Sequence, residues 1–296
     1  MKLNTGRIAA HLAMIVAITA LLGLVMVYPF LPGSYDRLAT GLSLMVQVFG
    51  LIGLLLVPVG LVWLIYESVY QQAIQRDASA TYRGGIFALA AMVIASLVAV
   101  IISIAASASS GTAFGLMTIG LWVYCCLRLI RHVRRLRKTE PVHVNFAPLY
   151  LILIPIALFV LQLTLATPVT ASSRAHAIAM SAELIADIEA YYAANDRYPD
   201  SLLAVWNDYS PSVIGIERYH YETSGDTYNL VFEQPRFLFD NLGAREFVVY
   251  NPLDEHTMIS HDSWILLLSP RSLSDSPGWF EARNTDSPHW KSFLFD

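Results

Sequence analysis

PLYLILIPIALFVLQLTLATPVTASSRAHAIAMSAELIADIEAYYAANDRYPDSL, residues 148–202, is the stretch that decides the fold. Residues 148–167 carry no charge, and roughly 20 such apolar residues are what a helix needs to cross a hydrocarbon core. From residue 172 the pattern turns amphipathic. Ile178, Ser181, Leu184, Ile185, Ile188, Tyr191 and Tyr192 fall at helical spacing, while Glu183, Asp187 and Glu189 lie off that stripe. A membrane helix thus runs on as a water-exposed helix in nearly one rod, bent or interrupted near Pro168. Asn195-Asp196-Arg197 and Tyr198-Pro199-Asp200 end it.

Upstream of that rod the chain is strongly apolar. Of 296 residues 55% are hydrophobic and only 14% charged, with a mean hydropathy of +0.51, which excludes an ordinary water-soluble globule and disorder alike. Four further spans are expected at about 8–30, 42–66, 86–106 and 112–130, making five with 148–167. The first is longer than the core of a secretory signal and is taken as an uncleaved anchor. Ser107–Gly111 is so short that the third and fourth spans must form a tight helical hairpin. Pro58 and Pro155 are positioned to interrupt or kink their helices.

Charge divides the chain. Residues 1–169 hold 11 Lys/Arg against 4 Asp/Glu, whereas residues 170–296 hold 8 against 19. With the N-terminus inside, Lys2, Arg7, Arg76, Arg83 and the run containing Arg131, Arg134, Arg135, Arg137 and Lys138 all face the cytoplasm. Five crossings then deliver residues 170–296 to the far side. The basic run abuts a span, so it acts as a cytoplasmic stop resting on anionic lipid rather than as a nucleic-acid site.

The spans carry almost no ionisable group. His11 and Arg128 lie near inner ends, Glu67 just past the second span, and Gln47 and Gln162 are the deeper polar groups, best suited to bonds between helices. That scarcity counts against a pump or antiporter. The adjacent Cys125 and Cys126 point about 100° apart on a helix and are read as small hydrophobes. No cysteine occurs in 170–296, so that domain holds together without disulfides.

Beyond a short helix at 200–208, residues 215–296 have β texture. Tyr219 and Tyr221, then Tyr228, Leu230 and Phe232, alternate about the turn Ser224-Gly225-Asp226 and predict a hairpin. Further strands are expected at 245–250, 263–269, 278–282 and 290–295. Nineteen of the 34 aromatic residues lie in 170–296, enough for one compact core.

A membrane helix continuing as an amphipathic helix, then IEAYYAANDRYPDSLLAV (188–205), then an antiparallel sheet, resembles type IV pilins and type II secretion pseudopilins. Tyr198-Pro199 and Ser201-Leu202 match in kind the turn that ends the helix in such proteins. The resemblance implies a pilin-like α+β domain and a link to envelope machinery. The chain departs from a pilin precursor upstream: TEPVHVNF (139–146) lacks the glycine before the cut, the glutamate five residues into the helix is missing, and four extra spans precede it. A pilin-like domain fixed permanently to a membrane bundle is therefore expected, not a processed filament subunit.

The resemblance also raises calcium as a possible cofactor, because some pseudopilins bind it near this part of the sheet. Asp254, Glu255 and Asp262 in NPLDEHTMISHD (251–262) are the candidate ligands, and backbone carbonyls or water would have to complete the shell. His256 and His261, five apart, do not make a standard zinc pattern. A Ser263/His261/Asp240 set has no nucleophile-elbow context and no phosphate-binding glycine loop occurs, so no enzyme is expected. Tyr191, Tyr192, Tyr198, Trp206 and Tyr209 are a candidate recognition surface set against a role as core. The sequence thus describes a polytopic α-helical membrane protein of five transmembrane helices, multi-pass in a bacterial inner membrane. Residues 1–169 form the bundle, and 170–296 form a periplasmic pilin-like domain meeting envelope proteins or a ligand. The alternative is a membrane enzyme or carrier for an apolar substrate.

Overall fold

A computed structural model describes residues 5–76, 82–136, 145–205, 208–224, 226–240, 245–256 and 280–295. The chain separates into two compact units, Met1–Met26 with Gly41–Leu163, and Val27–Thr40 with Thr164–Asp296. Two pieces of the apolar half, the link Val27–Thr40 and the helix from Thr164, thus group with the C-terminal unit.

The helices are α1 (Thr5–Val27), α2 (Ala39–Gly53), α3 (Leu56–Arg76), α4 (Gly85–Ser110), α5 (Thr112–Leu136), α6 (Ala147–Met180) and α7 (Ala182–Asn195). Among the described residues, Gly6–Phe30, Gly85–Ile104 and Ala147–Asn195 are each long and apolar enough to cross a membrane. The bent pair Ala39–Gly53 and Leu56–Ile74 makes a fourth if it counts as one span. Three or four spans therefore stand where five were expected, with α5 outside that count. Outward faces carry large apolar side chains such as Val16, Leu97, Leu116 and Leu121, a surface suited to lipid and costly in water.

The expected span 42–66 is two helices, not one. They meet at 52°, and the break falls at Leu54, whose carbonyl the ring of Pro58 would strike four residues on. The chain tightens there, Leu54 N–H and Leu55 N–H donating to the carbonyls of Leu51 and Ile52 at 3.2 and 3.0 Å. Glycines let the bent pair lie close to α6: a Cβ at Gly53 would sit 3.2 Å from Pro155, and one at Gly60 2.7 Å from Ile152. Pro155 itself leaves α6 continuous. Buried Gln47 and Gln162 bond across α2 and α6 at 3.3 Å, and Gln47 also donates to Ser43 Oγ at 2.9 Å. The expected α4–α5 hairpin forms, with Gly111 at φ +94° closing α4.

Glu67 is not merely past a span. It is 2% exposed, and its Oε1 accepts from Trp63 Nε1 at 3.0 Å and from the Tyr82 hydroxyl. Asn145 Nδ2 donates to that hydroxyl at 3.2 Å, so one carboxylate ties α3 to the segments that precede α4 and α6.

In the second unit the rod breaks at Ser181, not at Pro168. Pro168 removes one N–H bond from a 34-residue helix that runs through it. Ser181, wholly buried, turns its hydroxyl back onto the Ile178 carbonyl at 2.7 Å, a local bond that competes with the helix ladder. α7 ends at Asn195 with Asp196 left-handed at φ +54°. Five antiparallel strands follow, β1 (His220–Ser224), β2 (Thr227–Gln234), β3 (Arg245–Tyr250), β4 (Phe280–Asn284) and β5 (Trp290–Phe295), in the order β1-β2-β3-β5-β4. Ser224 pairs with Thr227, so the first two strands make the expected tight hairpin. The candidate strand 263–269 lies outside the described residues. The expected short helix is a 3-10 turn, Leu202–Val205.

Of the stripe read from spacing, Ile178, Ser181, Leu184, Ile185 and Ile188 turn inward, while Tyr192 is exposed. Ala177, Leu184 and Ile188 meet Tyr219, Tyr228, Leu230, Phe232, Val248 and Trp290 in one core. Val248 and Val249 are both fully buried, so β3 is covered on both faces.

Candidate functional site

The site begins with a strap. Pro29–Asp36, following α1, lies against Ser212–Gly215 of the same unit. Gly33 N–H donates to Ser212 at 2.9 Å, Asp36 N–H to Ile214 at 2.9 Å, Ile214 N–H to Leu31 at 3.0 Å and Gly215 N–H to Pro29 at 2.7 Å. Pro32, which cannot donate, faces Val213 as an isolated bridge. Two glycines permit this approach: a Cβ at Gly215 would fall 2.6 Å from the Pro29 carbonyl oxygen, and one at Gly33 2.9 Å from Ile214. Phe30 stacks on buried Phe237 at 4.7 Å, and Asp36 holds the strap's own turn by accepting from Tyr28 at 3.1 Å and Leu38 N–H at 2.9 Å.

Beside the strap is a pocket of about 500 Å³, bounded by Tyr35 and Thr40 on one side and by His220, Glu233 and Arg245 of the sheet on the other. Three arginines, Arg218, Arg236 and Arg245, face two glutamates, Glu217 and Glu233. Arg245 forks onto Glu233 at 2.8 and 2.9 Å, which raises its pKa. Burial, and then Arg218, push His220 below the ordinary histidine value. Burial also lowers Arg236, against the pull of Glu246.

Behind the pocket Glu246, 4% exposed, accepts from Arg174 Nη2 and Ser292 Oγ, both at 2.5 Å, with Arg236 Nε at 3.8 Å. Two guanidinium groups share one buried carboxylate. Arg236 Nε and Nη1 are buried with no hydrogen-bond partner among the described residues. Two partly buried arginines on one carboxylate leave surplus positive charge that favours a negatively charged group nearby.

The residues singled out from sequence are scattered by comparison. Tyr198 and Tyr209 pack against the core; burial raises Tyr198 to about 12, and Tyr209 donates to Asp187. Tyr191 is half-buried, and Tyr192, exposed, stacks on Tyr198 at 4.4 Å. Trp206 lies outside the described residues. The four described tyrosines are therefore split between core and surface. Arg131 is exposed on α5, Arg134 and Arg135 continue that helix, and Arg137 and Lys138 lie outside the described residues.

Of the calcium candidates, Asp254 at φ +60° pairs with His289 at 3.2 Å, Glu255 is exposed, and Asp262 lies outside the described residues. No group of three or more His, Cys, Asp or Glu able to hold a metal occurs among the described residues. His256 is fully buried with Nδ1 and Nε2 against the carbonyls of Asp254 and His289 at 3.1 and 3.0 Å. Buried Asn251 holds the turn, accepting from the N–H groups of Leu253 and Glu255 at 2.9 and 3.0 Å. His261 and Ser263 lie outside the described residues. The strap, Arg174, Arg236 and Glu246 are not among the residues that the sequence pattern points to; the one local signal there is the Pro-Gly pair at 32–33, just beyond the first apolar stretch.

Fold and site together define a largely helical membrane-associated protein with a small antiparallel α+β unit. Compared with known proteins, the chain matches no family model, no curated protein and no solved structure.

Proposed function

We propose that the chain is a five-span protein of the bacterial inner membrane. It presents a pilin-like domain on the periplasmic side to bind an envelope protein or ligand. The strap carries this reading. Residues 29–36, immediately after α1, are held by residues 212–215, so the link after the first crossing and the C-terminal unit share one face of the membrane. The helices between must then cross an even number of times. The bent α2–α3 pair, α4 and α6 make three, and α5 supplies the fourth. Positive charge favours the N-terminus inside, which sets the domain outside. The long α6–α7 rod leading into a hairpin supports the pilin-like description. The pocket's three arginines suit a partner bearing a carboxylate or phosphate, while the acidic remainder suits basic surfaces.

Alkaline phosphatase fused after residue 296 is expected to be active, and fusions after residues 75 and 135 inactive. An inactive fusion at 296 overturns the topology. A photocrosslinking residue at Arg218 in whole cells is expected to trap a discrete adduct. Absence of any adduct, together with saturable turnover of an apolar compound in proteoliposomes, would favour the carrier reading instead.

A further inference from the structure

The first unit contains a second cavity that the outer-domain reading does not use. It too measures about 500 Å³, within the range of small-molecule sites. Its wall is α4, a helix without a single charge, where Ala88, Ala91 and Ala95 present small side chains at helical spacing. Met92, Trp122 and Leu56 also line it. Trp122 has its only donor engaged by Ser96 Oγ at 3.1 Å. Such walls offer water too few partners to hold it.

Polar groups gather at one end, where α1, α4 and α6 begin. His11 Nδ1 and the Tyr150 hydroxyl are 2.8 Å apart, and the His11 ring is clamped against Phe146 at 4.5 Å and edge-on to Tyr150 at 5.8 Å. Asn145 is already spent on the Ala147 N–H and on Tyr82, whereas the His11–Tyr150 pair keeps hydrogen-bonding capacity in its second ring nitrogen and hydroxyl. Arg7 precedes His11 by one turn on the same helix face, and Arg83 stands just before α4. From Ala88 to Ala95 the apolar wall extends roughly 10 Å into the helices at 1.5 Å per residue. A polar mouth with an arginine one helical turn away, joined to an apolar shaft, suits a chain that carries an anionic head.

We propose that this cavity binds a long-chain carboxylate, with its head on His11 and Tyr150 and its chain along Ala88, Ala91 and Ala95.

The test uses the full chain in phosphatidylcholine nanodiscs with palmitate bearing a mid-chain diazirine. Photolysis is expected to give saturable adducts on Met92 and Trp122 that excess palmitate removes. Ala91→Trp should cut labelling at least tenfold, and Tyr150→Phe, which keeps the volume, should raise the half-saturating concentration several-fold. Leu97→Trp, on the outward face, should change neither. If Ala91→Trp alters the gel-filtration profile, the Tyr150→Phe shift decides. Labelling that does not saturate, spreads over Val16, Leu97 and Leu116, or ignores both cavity variants means that bulk lipid covers the groove and overturns the proposal. None of these outcomes depends on which side the outer domain occupies or what it binds.

Discussion

The two units solve opposite problems with one chain. In the first, apolar side chains point outward, glycines bring helix backbones together, and the interior holds the polar atoms: Ser43, Gln47, Gln162 and Glu67 are all buried. In the second, aromatic rings fill the interior and charges cover the outside, yet one carboxylate, Glu246, is buried beneath the partly exposed Arg174 and Arg236. Burying carbon gains nothing where the solvent is itself hydrocarbon, so packing and hydrogen bonds must hold the first unit. Water makes carbon burial the main force in the second.

That contrast can be broken most severely at Glu246. Glu246→Ala leaves the partly buried guanidinium groups of Arg174 and Arg236 without their carboxylate and should cost the second unit about 3 kcal/mol, seen as a lowered unfolding midpoint with the helical signal of the first unit intact. A smaller loss, about 1–3 kcal/mol, is expected for Gly215→Val, which forces a side chain onto the Pro29 carbonyl. Hydrogen exchange should speed at the amides of Gly33, Asp36 and Ile214 while the β2–β3 ladder stays protected.

Acid probes the same difference through His256. Burial lowers its pKa, so the folded protein prefers it neutral. Its contribution is complete above the unfolded value of about 6.5 and is lost as pH falls from there toward the lowered folded value. The slope can reach at most about 1.4 kcal/mol per pH unit. Melting curves of the native chain and His256→Gln between pH 7.5 and 5 should diverge only below that point; parallel curves would remove the histidine from the account. The smallest effect belongs to the membrane unit, where a double-mutant cycle on Gln47→Leu and Gln162→Leu should return a coupling of about 0.6 kcal/mol in mixed micelles.

Features set by neighbours along the chain were legible beforehand. The amphipathic stripe through Leu184 and Ile188, the stop near Asp196, and strands 245–250 and 290–295 depend on periodicity and local turn chemistry, and the structure places them there. The rod's interruption was misplaced because a proline is a visible local signal, whereas Ser181 turns inward only as part of a buried face. The helix break in 42–66 was half legible: Pro58 pointed to it, but the length of apolar sequence concealed that two helices result.

What the amino-acid order determined by itself was therefore the class of solvent each half meets and the kind of element each stretch forms, because composition and periodicity act over a turn or two. Only tertiary structure decided the strap, the pocket beside it, the burial of Glu67 and Glu246, and the meeting of His11 with Tyr150, residues 139 apart. Such contacts join segments whose separation in sequence carries no periodic trace, and their energy exists only once the chain has closed the loops between them.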